Sequence, residues 1–284
     1  MNNLKTEDID IGISGMRMLN ETIRRKYHFD MTIYAGTSLK RRLSKVINQN
    51  NLKNIESLIK LLEEDENFFP RLIAQLTVEV TEFFRDPAFW RSLRKDICPV
   101  LDKNHHKIKI WIPGCSSGEE VMSAAISLTE AGIYDKCNII ATDLNQEIIN
   151  DSASKYYPLN KLEISENNCK RFKEDESFDL NKYIVKEDHQ FRFIESLYRN
   201  IRYEVFNPTR ETKIKGVNMI LCRNYFIYFN GQFQEQLLEI FTKILSSNGY
   251  LAIGNKENIS FCNDAAKYNL INESEKIYRK KQYE

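Results

Sequence analysis

Apolar residues recur every three to four positions through the first quarter of the chain, and then the period changes. In TSLKRRLSKVINQ, Leu39, Leu43, Val46 and Ile47 share one helical face and leave Lys40, Arg41, Arg42 and Lys45 largely on others. NIESLIKLLEED repeats the pattern with Ile55, Leu58, Ile59 and Leu62, and FFPRLIAQLTV follows with a proline near a helix start. Residues 1–76 therefore predict a small all-helical domain. From about residue 107, β-rich runs alternate with amphipathic stretches, which predicts an α/β sheet with crossover helices. KIKIWIP, CNIIATD, IRYEVFN, VNMILCR and YLAIGN read as strands, with helices beginning near Glu119, Asn145 and Gly231. Asn248-Gly249 reads as the C-terminal cap of the last long helix, leading into a strand. KYNLINESEKIYRKKQ reads as two strands around a polar turn. Residues 155–200 are charged and weakly periodic, and read as an inserted subdomain without assignable elements.

Composition narrows the partners. The chain has 284 residues, 42% of them hydrophobic, enough for one large domain or for a small one plus a medium one. Lys and Arg number 41 against 40 acidic residues, so no global field recruits nucleic acid or an anionic membrane. The six cysteines form no C-x-x-C pair and read as buried thiols in a reducing compartment. MNNLKTEDIDIG has no basic segment followed by an apolar one, and no run approaches about 18 apolar residues. A cytoplasmic protein without membrane insertion is expected.

The chemistry centres on Gly114-Cys115-Ser116-Ser117-Gly118, which fits both the G-x-S-x-G letters of a hydrolase nucleophile elbow and a loop that cradles a nucleotide-like cofactor. A hydrolase needs an acid and then a histidine after the serine. Of the four histidines, only His189 follows, and it lies in the charged stretch KEDHQFRF. The cofactor reading needs an acid at the end of the next strand, and Asp143 stands there about 25 residues beyond Gly118. Glu119 and Glu120 occupy the place where a pyrophosphate would dock on a helix amino terminus. They repel phosphate and attract a cationic amine, although first-turn acids also simply complement a helix dipole. S-adenosylmethionine, with a ribose, an amino group and a sulfonium but no phosphate, suits this set.

Three segments stand out: TEFFRDPAFW (81–90), GCSSGEE (114–120) with ATDLN (141–145), and ILCRNYFIYFN (220–230) followed by GNKEN (254–258). Together they resemble the CheR-type chemotaxis receptor methyltransferases, which are protein-glutamate O-methyltransferases. The resemblance implies a seven-stranded class I methyltransferase sheet, Rossmann-like, spanning residues 77–284 behind the helical domain. It also implies S-adenosylmethionine as donor, S-adenosylhomocysteine as product and a protein glutamate as acceptor. Carried over by position, Thr81 and Arg85 contact the donor, Glu119 or Glu120 holds its amino group, Asp143 its ribose, and Asn207 and Asn224 its adenine or surroundings. Glu79, Gly114, Pro208 and Tyr225 complete the donor's surroundings, and Tyr228 lines the methyl-transfer site. Glu79 stands where those enzymes carry an asparagine, and Pro208 where a leucine often follows Asn207; a proline offers no amide donor.

A glutamate acceptor is already ionised at neutral pH, with a reference pKa of about 4.3, so no general base is required and no metal-ligand set is expected. Arg85 would orient the acceptor carboxylate, and Tyr228 would donate a hydrogen bond or shape the pocket. The implied partner is the cytoplasmic helical region of a chemoreceptor, approached by a monomer. The alternatives are a different acceptor molecule, or a regulatory protein that binds the donor without turnover.

Overall fold

In the computed structural model, which describes residues 9–77, 81–154, 156–172 and 178–282, four amphipathic helices build the first of two units. They are α1 (Ile13–Tyr27), α2 (Gly36–Gln49), α3 (Ile55–Glu64) and α4 (Phe68–Thr77). Leu39, Leu43, Val46 and Ile47 of α2 are buried together with Leu19, Ile23, Leu58, Leu62 and Leu72, as the spacing predicts. Local chemistry sets the ends. The Asn54 side chain accepts the Ser57 amide at 3.0 Å to start α3, and Arg24, Arg25 and Lys26 complement the dipole at the end of α1. A β-carbon on Gly15 would lie 2.7 Å from Ile55 Cγ2, so glycine lets α1 approach α3. Residues 227–236 belong to this unit as well: Asn230 donates to the Ile33 carbonyl at 2.8 Å, and Tyr34 and Phe229 form a β-bridge.

The second unit, Val80–Phe226 with Leu237–Glu284, is built on a seven-stranded sheet. Its strands are β1 (Ile108–Pro113), β2 (Cys137–Asp143), β6 (Ile201–Val205), β7 (Val217–Cys222), β8 (Leu245–Ile253), β9 (Tyr268–Asn272) and β10 (Ile277–Lys280), in the order β6-β2-β1-β7-β8-β10-β9. The first five run parallel, and β10 is antiparallel to β8 and β9. Every residue of β7 is buried, which is why the parallel strands read as continuous apolar runs. The helices are α5 (Pro87–Ser92), continued by a π-helical turn into α6 (Cys98–Asn104), then α7 (Glu119–Glu130), α8 (Gln146–Ser154), α9 (Asn160–Phe172) and, from Leu237 onward, α10 (Gly231–Ile244). No helix among the described residues is long and apolar enough to cross a membrane. All six cysteines are free and buried.

Two findings go beyond the sequence pattern. The stretch without assigned elements contains α9 and a second, antiparallel sheet of β3 (Tyr156–Pro158), β4 (Ile184–Glu187) and β5 (Gln190–Phe193), ordered β3-β5-β4. Phe191 and Phe193 pack with Tyr157 and with Phe83, whose ring centroid lies 5.3 Å from that of Phe193. Asn248-Gly249 is not a helix cap: α10 ends at Ile244, and Asn248, at φ 62°, lies within β8 where its register with β7 shifts. A left-handed asparagine serves a bulge as readily as a cap.

Candidate functional site

The carboxyl ends of the parallel strands converge on the loops that carry the candidate residues. After β1, Gly114 (φ 67°), Ser116 (φ 48°) and Gly118 (φ 91°) turn the chain sharply into α7. Side chains from neighbouring segments hold this loop. Asp143, at the end of β2, accepts the Ser116 amide on Oδ2 and the Asn145 amide on Oδ1, both at 3.1 Å, and Ser152 Oγ donates to the Ser116 carbonyl at 2.6 Å. Burial raises the Asp143 carboxyl above its ordinary range, and these amides pull it back. A β-carbon on Gly114 would come within 2.4 Å of the Tyr225 ring, so the ring rests on the bare glycine.

Glu119 and Glu120 open α7 but meet different surroundings. Glu119 is fully buried; Ser117 Oγ donates to its Oε2 at 2.5 Å, and the ammonium of Lys161 on α9 donates to its Oε1 at 2.6 Å. The same ammonium reaches the Thr81 carbonyl at 3.2 Å. Glu120 faces a separate charge cluster: its Oε1 has no hydrogen-bond donor, with Arg223 Nη1 3.9 Å away. Burial pushes its carboxyl up to about 7, opposed by the Arg223 charge and reinforced by Glu257. Arg223 is itself buried. It donates to Asp86 at 2.6 Å and to the Arg85 carbonyl at 3.3 Å, and lies over the Phe89 ring at 4.2 Å. The Asp86 carboxylate is thus held by Arg223, while Arg85 is half-buried with its charge felt at Glu120. Phe83, Phe84, Phe89 and Trp90 are core residues.

Beyond β7, Asn224 (φ 58°) donates its amide to Glu257 Oε2 at 2.9 Å, and Gly254 donates to the same oxygen at 2.6 Å. Beyond β6, the Asn207 side-chain oxygen closes a turn by accepting Thr209 N at 2.9 Å, which leaves its amide hydrogens for other acceptors; Pro208 is buried. The structure therefore gathers Thr81, Arg85, Gly114, Glu119, Glu120, Asp143, Asn207, Pro208, Asn224 and Tyr225 in one unit, on strand-end loops and the segments packed against them. Tyr228 belongs to the helical unit, where its carbonyl accepts the Ala35 amide at 2.9 Å. Glu79 lies outside the described residues. Lys161, Arg223 and Glu257 were not singled out from sequence. Glu257 stands within GNKEN, but its partners are set by the fold.

The nucleophile reading fails on geometry. His189 is exposed in the turn between β4 and β5, and the Ser116 backbone is pinned from both sides as a loop element. Glu119 at a helix start and Asp143 at a strand end suit an ammonium and a diol, and reject phosphate. Asp143 accepts one amide on each oxygen and retains lone pairs for ribose hydroxyls. The residues present therefore fit S-adenosylmethionine.

Residues 14–77 match the family described as CheR methyltransferase, all-alpha domain, and residues 79–277 match CheR methyltransferase, SAM binding domain. The chain is 30% identical over 280 residues to "Putative methyltransferase Cher3" of Pseudomonas putida, across 99% of this chain and 100% of that one. It is 26% identical over 238 residues to "Chemotaxis protein methyltransferase" of Listeria monocytogenes (84% of this chain, 87% of that one). With the protein of the same name from Borreliella burgdorferi the identity is 29% over 237 residues (77% and 78%).

Proposed function

The chain belongs to the CheR methyltransferase family and takes its methyl group from S-adenosylmethionine, and from that premise we propose that it esterifies glutamate side chains of a protein, in the cytoplasmic helical region of a chemoreceptor. The products are glutamate methyl esters and S-adenosylhomocysteine. The donor supplies an electrophilic methyl group on a sulfonium. The protein's part is to bind, align and keep the acceptor oxygen unencumbered, since alignment alone supplies large effective molarities.

The observation that carries this reading is a site rich in acids whose histidines all lie on other elements. His28 ends α1, His105 and His106 precede β1, and His189 sits between β4 and β5. A carboxylate acceptor, ionised at pH 7 with a reference pKa of about 4.3, needs no base. The names of the relatives from Listeria monocytogenes and Borreliella burgdorferi support a chemotaxis substrate. Within this reading Asp143 binds the ribose hydroxyls, Glu119 the donor's ammonium, and Asn207 and Asn224 the adenine surroundings. Thr81, Gly114, Pro208 and Tyr225 shape the pocket, Arg85 orients the acceptor carboxylate, and Tyr228 lines the transfer site. Glu120 serves the Arg223 cluster rather than the donor. The basic helix of the helical domain, residues 1–76, steers the enzyme onto an acidic helical surface of the receptor.

The test is transfer of tritiated methyl groups to a membrane fraction from a methylesterase-deficient strain. Label released as methanol by mild base is expected. Label that survives base indicates N- or C-methylation and ends the glutamate assignment.

A further inference from the structure

The functional reading leaves one charged side chain of the donor site without a role. Lys161 places its ammonium between Glu119 Oε1 (2.6 Å) and the Thr81 carbonyl (3.2 Å), which uses two of its three donors. Its side chain stays 25% exposed, whereas Glu119 is sealed from solvent. The pair is therefore neutral but polar, with its positive end at the more open side.

Lys161 is also held firmly. Ser165 Oγ, one turn further along α9, accepts the Phe83 amide at 3.0 Å. Asn168, at the next position of the same face, donates to Glu82 Oε2 at 2.9 Å and to the Phe83 carbonyl at 3.2 Å. Three side chains of α9 thus lock onto residues 81–83, and swinging the ammonium away from Glu119 would strip the Thr81 carbonyl of a partner.

A donor with an amino-acid tail brings one ammonium and one carboxylate. A buried Glu119 facing that tail alone would satisfy the ammonium and repel the carboxylate beside it. We propose that Lys161 binds the carboxylate of the donor's methionyl tail through its third N–H, so that Glu119 and Lys161 together select an intact amino-acid zwitterion. The inference rests on the placement of the donor's ammonium at Glu119. The opposing role for the same geometry is an internal stand-in, in which Lys161 occupies the ammonium position and is expelled by the donor. The two roles differ in sign. Removing a carboxylate reader weakens binding, and removing a stand-in strengthens it.

Calorimetric titration of the full chain with S-adenosylhomocysteine and with its decarboxylated analogue separates them. Wild type should bind the intact ligand about tenfold or more tightly than the analogue, the scale of one charged hydrogen bond. Lys161→Met should lose about that factor for the intact ligand and nothing for the analogue, and Lys161→Arg should recover part of it. The proposal is overturned if Lys161→Met binds S-adenosylhomocysteine as tightly as wild type or more so, or loses both ligands equally. Should Lys161→Met not fold, equal affinity of wild type for both ligands overturns it without any variant. Glu119→Gln tests the underlying placement separately: undiminished affinity for S-adenosylhomocysteine there would remove the ammonium from Glu119.

Discussion

The guanidinium of Arg42 lies over the ring of Tyr228, 4.3 Å from its centroid. A residue of the basic helix α2 is thereby committed to the tyrosine that the family resemblance assigns to methyl transfer, a contact worth about 0.5–2 kcal/mol. Of the four basic residues on α2, Arg41 and Lys45 are exposed, and under the proposed function these are the ones to meet an acidic receptor helix. Reversing both, Arg41→Glu with Lys45→Glu, should leave S-adenosylhomocysteine affinity unchanged and lower methylation of the native receptor several-fold at low salt. Wild-type activity should fall as added salt screens the attraction. Unaltered receptor methylation by the double variant would place recognition elsewhere.

Asp143 fixes the Ser116 turn and, in the proposed site, also binds the donor's ribose. Asp143→Asn keeps one side-chain oxygen and the apolar strand, so the fold should hold while donor binding weakens by about tenfold to a hundredfold, at about 1.5–3 kcal/mol per charged hydrogen bond. Calorimetry with S-adenosylhomocysteine, alongside thermal unfolding, tells the two effects apart.

Ser116 contributes its backbone. Ser116→Ala should therefore retain methyl transfer to within a few-fold. A folded variant devoid of activity, measured by tritium transfer, would revive a covalent role for the hydroxyl.

Arg223 is the only counter-charge bonded to Asp86 among the described residues, and its side chain is 2% exposed. Arg223→Leu leaves Asp86 without its ion pair and Glu120 with only the Arg85 charge to offset its acidic neighbours. Loss of about 3–5 kcal/mol is expected, the usual cost of breaking a buried pair from one side. Urea unfolding gives the measurement, and a midpoint within error of wild type would contradict the buried network.

Glu120 makes stability depend on pH in a definite direction. Its folded carboxyl is raised from 4.5 to about 7, so between those values the native state holds a proton that the unfolded chain has released. Its contribution is fully present below about pH 4.5 and is lost as pH rises through about 7. The stability of wild type relative to Glu120→Gln should decline across that window by up to about 3 kcal/mol, at about 1.4 kcal/mol per unit. Urea midpoints of both proteins at pH 5 and pH 8 check the sign; a difference that grows with pH would refute it.

The parallel strands and the donor loop were legible because burial on both faces forces apolar residues at every position, as in Val217–Cys222, and because a glycine turn leaves a recognisable trace. The inserted sheet was not. Its strands are three or four residues long, and its core is completed by Phe83, far upstream, which imposes no local period. Asn248 was misread because a left-handed asparagine serves more than one turn. Lys161 carries no local signal, since a lysine near the start of an amphipathic helix is ordinarily a solvated charge. Glu257 meets the Asn224 amide across 33 residues, a pairing only the closed sheet creates.

The order of the strands also governs when the molecule becomes competent. Ile110 pairs with Met219 at the centre of the sheet, and the whole inserted segment lies between them in sequence. β1 and β2 can zip together early, but β7 must close a long loop before it docks, and closures of this kind are slow. Asp143 and Asn224, which flank the donor in the proposed site, reach their places on opposite sides of that event. With the donor placed as proposed, the nascent chain must therefore emerge past β7 before it can hold the donor. S-adenosylmethionine can then act as a late folding ligand, drawing the docked sheet forward by mass action rather than guiding its first steps.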